Sequence, residues 1–289
     1  MASVLTNLFD GVAYGMLLFV LACGLAVTLG LMNFVNLAHG AFAMAGGYIC
    51  AVLVNNSGWP FFAALPLAFA GSAAIGIVLE RALYRHLYMR GHLDQVLFSI
   101  GLVFMSVAAV DYVMGSSRVF IKLPAALEGQ IDLFGVGIGR YRLMIVVICG
   151  LLTLALQLIL AKTRFGSRLR AAVDDPRAAI GLGINVPQVF AFTFAFGCGL
   201  AGLGGALSAE ILGLDPYFPL KFMIYFLIVV TVGGSSSITG PFLASLLLGI
   251  ADVAGKYYVP KMGPFVIYTV MIVILIWRPN GLFGRTAAR

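Results

Sequence analysis

Two amides and an imidazole lie close together in the stretch Asn33-Phe-Val-Asn36-Leu-Ala-His39-Gly40, which separates two apolar runs. Polar groups at membrane depth are costly, so they tend to face a bundle interior or a cavity. Glycine and polar residues can break a helix here, and the free N–H groups of a broken helix suit an anionic ligand such as a carboxylate. A plain turn capped by Asn36 explains the same residues equally well. The stretch therefore predicts a helix break and leaves its chemistry open.

A second break is predicted at Gly233-Gly-Ser-Ser-Ser-Ile-Thr-Gly240-Pro241, again between two apolar runs. The letters TGPF at 239–242 correspond to HGAF at 39–42, near the other end of the chain. Interrupted helices in corresponding halves are a sequence indication of a transporter site. A flexible Ser/Gly turn is the simpler interpretation of the same residues. The candidate positions for this transporter site are Gly233, Gly234, Ser235 and Ser236.

Small residues recur every four positions at Gly197, Ala201 and Gly205. This spacing lets two membrane helices approach closely. We expect helix packing at these positions, rather than contact with a solute.

The stretch Thr163–Pro187 is the most charged part of the chain between apolar runs. Asp175 followed by Pro176 has the pattern of an N-cap and first helical residue, and Gly181 or Gly183 is placed to end that helix. Ser167 is placed to cap an earlier helix. The stretch predicts one or two short amphipathic helices, or else a basic connector resting on anionic membrane lipid.

The elements that position these motifs are membrane helices. Hydrophobic residues make up 62% of the 289 residues and charged residues only 10%, against about 45–50% and about 25% in soluble domains. At about 20 residues a span, the chain predicts an all-α polytopic membrane protein with eight or nine transmembrane helices, some of them discontinuous. We expect one membrane domain over residues 1–289, with no separate soluble domain and no nucleic-acid partner. The predicted spans are Leu8–Leu31, Phe34–Val54, Phe61–Leu79, Val96–Met114, Leu143–Ala161, Val189–Leu212, Phe222–Val232, Phe242–Ala254 and Pro264–Trp277.

Basic residues between the spans predict the orientation. Eleven of the 18 Lys and Arg residues fall on the side that holds Arg81, Thr163–Pro187 and the C-terminal tail. Cytoplasmic loops are enriched in basic residues, so we expect the N-terminus outside and the C-terminus in the cytoplasm. The longest external loop, Gly115–Arg142, contains β-branched residues and glycines that predict a short extracytoplasmic hairpin.

Catalytic signatures are missing from the sequence. No GxxxxGK[ST] phosphate-binding loop occurs, and no activated serine is suggested beside His39. Cys23, Cys50, Cys149 and Cys198 all lie inside apolar runs without metal-binding spacing. We expect no enzyme activity, no cofactor and no metal.

Five segments, in order, resemble the LivH-type permeases of branched-chain amino acid ABC importers. They are Asn36-Leu-Ala-His-Gly40 with Ala43-Met-Ala-Gly46-Gly-Tyr48, Gly166-Ser-Arg-Leu-Arg-Ala171 with Ala178-Ala and Gly183-Ile-Asn185, Gly197–Ala206, Gly233-Gly234 with Gly240, and Arg278-Pro-Asn-Gly-Leu-Phe-Gly284. The resemblance covers nearly the whole chain. Ser236 and Thr239 depart from the family pattern, which usually has Gly and Pro there.

The resemblance implies a subunit of a larger importer in the bacterial plasma membrane. Its partners would be a LivM-like second permease, two cytoplasmic ATP-binding subunits and an extracytoplasmic solute-binding protein. The stretch 163–187 would be a cytoplasmic coupling loop that docks into an ATPase, and the Asn/His and glycine motifs would line or gate the path. The predicted coupling residues are Arg170, Asp174, Asp175, Arg177, Ala178, Ala179 and Gly183. A self-sufficient secondary transporter or channel is the alternative, and the substrate stays open among amino acids and related small solutes.

Overall fold

The computed structural model describes residues 2–32, 34–88, 90–133, 136–234 and 238–283, and these are mostly helical. In chain order the α-helices are α1 (Ala2–Met32), α2 (His39–Ala51), α3 (Phe61–Ala82), α4 (His92–Met114), α5 (Arg140–Lys162), α6 (Arg164–Asp174), α7 (Pro176–Gly181), α8 (Val186–Leu212), α9 (Phe218–Gly233), α10 (Thr239–Tyr258) and α11 (Gly263–Trp277). A π-helical turn, Val52–Asn56, extends α2.

Five helices in the described part of the chain are long and apolar enough to cross a membrane: α1, α3, α4, α5 and α8. Helices α9 and α11 are apolar but shorter. Because backbone groups in lipid must be satisfied within the segment, helices are the expected solution for these runs. The predicted all-α polytopic membrane class is confirmed.

One face of the molecule carries the loop between α4 and α5. In that loop β1 (Gln130–Leu133) pairs antiparallel with β2 (Val136–Gly139), which is the predicted hairpin. Asn55 donates from Nδ2 to the carbonyl oxygen of Phe120 at 2.8 Å, and Val119 forms a β-bridge with Leu214. The ends of α2, α4 and α8 therefore lie on one side, which we call the hairpin face.

The opposite face carries α6 and α7. The Tyr84 hydroxyl, just after α3, donates to Asn36 Oδ1 at 3.0 Å. The C-terminal segment returns to the end of α9, where the N–H of Leu282 donates to the carbonyl oxygen of Val232 at 2.8 Å. We call this the α6–α7 face, and the last described residues lie on it. The first part of α1 lies on the hairpin face, where Asp10 pairs with Arg142 at the start of α5.

Helices α1 and α8 form the centre of the bundle. Helix α8 packs against α1, α2 and α3, and α1 packs further against α10 and α5. In the spanning windows of both, 78% of residues are buried, against 17% in α4 and 22% in α5. Glycines permit this approach: a Cβ on Gly11 would lie 2.7 Å from Cα of Ile250, and one on Gly46 would overlap the backbone of Gly202.

Two predicted helix starts were wrong. The second apolar run begins at Phe34 in the sequence, but the helix starts only at His39 because the chain turns between Phe34 and Ala38. The run predicted from Phe222 is longer, since α9 begins at Phe218 with Pro219 in its first turn. Proline lacks an N–H and is tolerated in the first turn of a helix. The helix therefore begins before Pro219, four residues earlier than the apolar run predicts.

Candidate translocation and coupling sites

The turn between α1 and α2 is closed by Asn36, which is fully buried. Its Oδ1 accepts hydrogen bonds from the N–H of Ala38 at 3.1 Å and from the Tyr84 hydroxyl at 3.0 Å. Asn36 Nδ2 has no hydrogen-bond partner among the described residues. The geometry is that of a buried, side-chain-capped turn. Asn33, the other predicted amide, lies outside the described residues.

Residues that the sequence reasoning missed support this turn. Gln95 accepts at Oε1 from the N–H of Val35 at 3.1 Å and donates from Nε2 to the carbonyl oxygen of Arg90 at 3.1 Å. The Phe34 ring packs edge-on against Tyr84 and Tyr88, with centroids 5.6 and 5.4 Å apart. The sequence signal for this support is the pair Tyr84 and Tyr88, four residues apart in the otherwise basic connection between α3 and α4.

His39 and Gly40 begin α2 inside the bundle. His39 is 2% exposed, and its Nε2 lies 2.9 Å from the carbonyl oxygen of Leu21, to which it donates. Its ring meets Phe226 of α9 edge-on at 6.1 Å. A Cβ on Gly40 would lie 2.9 Å from Cα of Pro219. The start of α2 therefore contacts both α1 and α9, and links the two predicted breaks through α9.

The break between α9 and α10 is a close backbone contact. A Cβ on Gly233 would overlap the backbone of Gly240 and Pro241, and Gly234 has φ +85°, where glycine is favoured. The N–H of Phe283 donates to the carbonyl oxygen of Gly233 at 3.2 Å, so the C-terminal segment is bonded to this break. Ser235 and Ser236 lie outside the described residues.

The small residues of α8 lie at helix crossings. A Cβ on Gly197 would come within 3.3 Å of Cα of Gly24, and one on Gly205 would overlap the backbone of Ala43. Ala201 is completely buried between these two positions. Side chains larger than a hydrogen atom at the two glycines would push α8 away from α1 and α2.

Side-chain caps build the segment from Thr163 to Asn185, the α6–α7 segment. Asp175 Oδ1 accepts from the N–H groups of Arg177 and Ala178, both at 3.0 Å, as its pattern predicted. The predicted Ser167 cap was wrong: Thr163 is the N-cap of α6, and its Oγ1 accepts from the N–H of Gly166 at 3.3 Å. Gly166 permits the tight approach of α6 to the end of α5, where a Cβ would overlap the backbone of Leu160.

The α6–α7 segment has its own small core and an exposed surface. Leu169, Ala172 and Ala179 are buried and pack with Val186 and Val189 of α8. Ala179, which we expected to contact a partner, is only 1% exposed and therefore positions the segment instead.

The exposed surface of the same segment is mixed. Ile180 and Leu182 are 59% and 80% exposed, and Gly183 has φ +79°. The other predicted coupling residues are exposed beside them: Arg170, Asp174, Asp175, Arg177 and Ala178. Arg170 also donates from Nη1 to the carbonyl oxygen of Leu160, which fixes it to the end of α5.

Two clefts lie beside this surface on the α6–α7 face. One, of about 580 Å³, is lined by Arg168, Leu182 and Phe192 among others, and the other, of about 370 Å³, by Glu80, Arg81 and Arg85 among others. Next to the second cleft, the Tyr88 hydroxyl donates to Glu80 Oε1 at 3.1 Å. Burial and the nearby Glu80 carboxylate raise the pKa of the Tyr88 phenol, so it stays a donor.

Metal-binding geometry is absent from the part of the chain that the structure describes: no three His, Cys, Asp or Glu residues come together. The four cysteines are free and buried.

Comparison with known proteins gives a consistent result. The sequence profile for the permease component of branched-chain amino acid transport systems matches residues 7–275. The chain is 28% identical to the high-affinity branched-chain amino acid transport system permease protein LivH of Escherichia coli K12, over 97% of this chain and 96% of that protein. It is 29% identical to BraD of Pseudomonas aeruginosa, with the same coverage.

A more distant similarity joins the chain to LivM of Escherichia coli K12, at 26% identity over 94% of this chain and 68% of that protein. No solved structure matches the chain. The match over residues 7–275, on a bundle of apolar helices, establishes that the chain belongs to the ABC transporter family of branched-chain amino acid permease components.

Proposed function

We propose that this chain is one of two permease subunits of an ABC importer for branched-chain amino acids or related small carboxylates. The observation that carries the proposal is the family match over residues 7–275. The chain forms half of the translocation pathway and does not hydrolyse ATP itself. Energy comes from two separate cytoplasmic ATP-binding subunits, and an extracytoplasmic solute-binding protein delivers the solute.

The second permease is a LivM-like chain of similar fold. The chain's similarity to both LivH and LivM relatives supports this pairing, because two related subunits can pack with their equivalent surfaces together. The exposed apolar residues of α4, among them Leu97, Phe104 and Met105, leave ample surface for a partner helix or lipid.

The whole chain, residues 1–289, is one permease domain with nine spans in a bacterial plasma membrane. These are α1, α2 with its π-turn, α3, α4, α5, α8, α9, α10 and α11. Nine spans put the chain's two ends on opposite sides. The α6–α7 face is cytoplasmic because it holds the larger share of basic residues. The N-terminus is then outside and the C-terminus inside.

The α6–α7 segment, within 163–187, is the coupling loop. Its inner surface is packed on α8, while Ile180 and Leu182 are exposed among charged residues. A rigid element with an apolar contact and a polar rim suits docking into a cleft of an ATPase. Movement of α8 would then accompany ATP-driven movement of this segment.

Asn36, His39, Gly40, Gly233 and Gly234, together with Asn33, Ser235 and Ser236, are the candidate gate. Two features support the assignment: both breaks lie at helix ends, and Gly40 lies against Pro219 at the start of α9, whose last residue is Gly233. Residues in loops and at helix ends are the positions that act as hinges in conformational changes.

Co-purification followed by reconstitution tests the function. We expect this chain, extracted from membranes, to carry a second permease and two ATP-binding subunits, and the complex in vesicles to import L-leucine only with ATP and a solute-binding protein. The chain purified alone should show no ATPase activity. Uptake by the chain alone, driven by an ion gradient, would instead establish a self-sufficient transporter.

Labelling from outside intact cells tests the orientation. A membrane-impermeant maleimide should modify Ser3→Cys and leave Asn280→Cys unmodified until the membrane is opened. Both positions are exposed, so the contrast reports sidedness instead of burial. Labelling of Asn280→Cys in intact cells would reverse the assignment.

A further inference from the structure

A cavity of about 200 Å³ opens on the hairpin face, away from both helix breaks. Helices α1, α5, α8 and α10 converge there. Its lining combines charged with apolar side chains and includes Asp10, Tyr14, Arg142, Ile211, Leu212, Asp252, Val253 and Lys256.

Four of the lining residues form two ion pairs, each between an aspartate and a basic residue. Asp10 of α1 pairs with Arg142 of α5, and Asp252 of α10 pairs with Lys256 one turn later, at 2.5 Å. Their formal charges sum to zero. A solute with a net charge would leave one charge uncompensated in this partly buried site, whereas a zwitterion would not.

The Asp252 carboxylate has an unused oxygen. Its side chain is 1% exposed, Lys256 bonds to Oδ2, and Oδ1 is buried without a hydrogen-bond partner among the described residues. A buried carboxylate oxygen without a donor costs free energy. A solute ammonium group that reached Oδ1 would supply the missing donor.

Cations at the rim suit the other end of such a solute. Arg142 and Lys256 have side chains 44% and 50% exposed, so each keeps donors beyond its acidic partner. Guanidinium and ammonium groups bind carboxylates. Ile211, Leu212 and Val253 supply an apolar wall for an aliphatic side chain.

We propose that this cavity binds a zwitterionic aliphatic amino acid, with the ammonium at Asp252, the carboxylate at Arg142 and Lys256, and the side chain on the apolar wall. On the orientation proposed above it lies on the outer side, where a solute released by the binding protein meets the permease. The choice of ligand rests on the proposed function; the geometry of the cavity does not.

Protection of an introduced cysteine tests the site. Val253→Cys is placed in the cavity, and Tyr257→Cys is placed outside it on the same helix. In membranes that contain the complete importer, millimolar L-leucine should slow modification of Val253→Cys by a methanethiosulfonate reagent several-fold and leave Tyr257→Cys unchanged. Leucinol, which lacks the carboxylate, and 4-methylpentanoate, which lacks the ammonium, should not protect.

Matched variants test the role of Asp252. Added to Val253→Cys, Asp252→Asn should raise the L-leucine concentration needed for protection about 10- to 100-fold, as expected for loss of a charged hydrogen bond. Asp215→Asn disrupts another ion pair, with Lys221, and should leave protection intact.

Two results would overturn the site. One is absence of protection by L-leucine while the same membranes import it, which leaves the proposed function standing. The other is equal protection by leucinol and L-leucine, which removes the zwitterion requirement. If the membranes do not import L-leucine but L-leucine still protects Val253→Cys, the proposed transport function is contradicted and the site is supported.

Discussion

The turn at Asn36–Gly40 and the α6–α7 segment use the same side-chain chemistry in opposite surroundings. In each, an Asx side chain accepts from backbone N–H groups two or three residues ahead: Asn36 from Ala38, and Asp175 from Arg177 and Ala178. Asn36 is fully buried, whereas Asp175 is exposed. A cap in water competes with solvation, while a buried polar group must find its partners within the protein.

The turn is held by contacts within the bundle, whereas the α6–α7 segment is exposed on its surface. At Asn36 and His39, contacts come from Leu21 within α1, from Tyr84 just after α3 and from Phe226 of α9. The α6–α7 segment is organised mainly by its own caps and by adjacent α8. Substitutions at the turn should therefore act on the whole bundle, and those on the segment should act locally, except where a residue faces its small core.

The largest effect is expected at that exception. Ala179→Glu places an unpaired carboxylate in the core between α7 and α8, which costs several kcal/mol. Ala178→Glu, one position earlier and exposed, should leave the segment folded and reduce ATP hydrolysis by the assembled importer. Limited proteolysis with trypsin checks the folding difference. Equal cleavage of the two variants would refute the assignment of Ala179 to the core.

Gly40→Val should destabilise the bundle by about 1–3 kcal/mol, because its Cβ would be forced against Cα of Pro219. The control is Gly150→Val in α5, where an added Cβ meets no atom within 4 Å. Thermal melting of the purified complex measures both. A Gly40→Val melting temperature equal to that of the control would mean that α2 and α9 are not tightly packed.

Asn36→Ala should cost about 1–3 kcal/mol, since two donors, the N–H of Ala38 and the hydroxyl of Tyr84, lose their acceptor. Tyr84→Phe removes one of these donors. In the Asn36→Ala background it should therefore cost less than in the wild type, a coupling that a double-mutant cycle on unfolding free energies measures. Strict additivity would contradict the hydrogen bond between the two side chains.

The smallest effect is expected for Asp175→Ala, at about 1 kcal/mol, as for other lost N-caps. The loss should be confined to α7 and show as faster amide hydrogen exchange at Arg177 and Ala178. Asp174→Ala changes the neighbouring exposed carboxylate and should leave that exchange unchanged. Faster exchange throughout α8 would show that the destabilisation is not confined to α7.

Local patterns predicted the parts of the molecule that short-range physics controls. The Asp175-Pro176 signal correctly placed α7, and β-branched residues and glycines anticipated the hairpin of β1 and β2. Ser167 misled because Thr163, four residues earlier, offers an equally good cap and lies at the end of α5. Capping patterns identify a helix start more reliably than they choose between neighbouring candidates.

The roles of the polar residues followed from contacts that sequence patterns do not encode. Tyr84 and Gln95 both form hydrogen bonds with the turn at Asn36. The sequence did not predict this role, because their partners lie 48 and 60 residues away along the chain. Asp252 was indistinguishable in sequence from an acid at the water interface, yet it is 1% exposed and lines a cavity.

The sequence by itself determined that this chain is a membrane helix bundle of the branched-chain amino acid permease family. Apolar content is a property of composition, and the family motifs are short runs of neighbouring residues in a fixed order. Only the tertiary structure decided that α1 and α8 are central, that Ala179 faces inward, and that four charges surround one cavity. The physical reason is that burial and ion pairing depend on the distance between residues in space, which helix packing sets and separation along the chain does not.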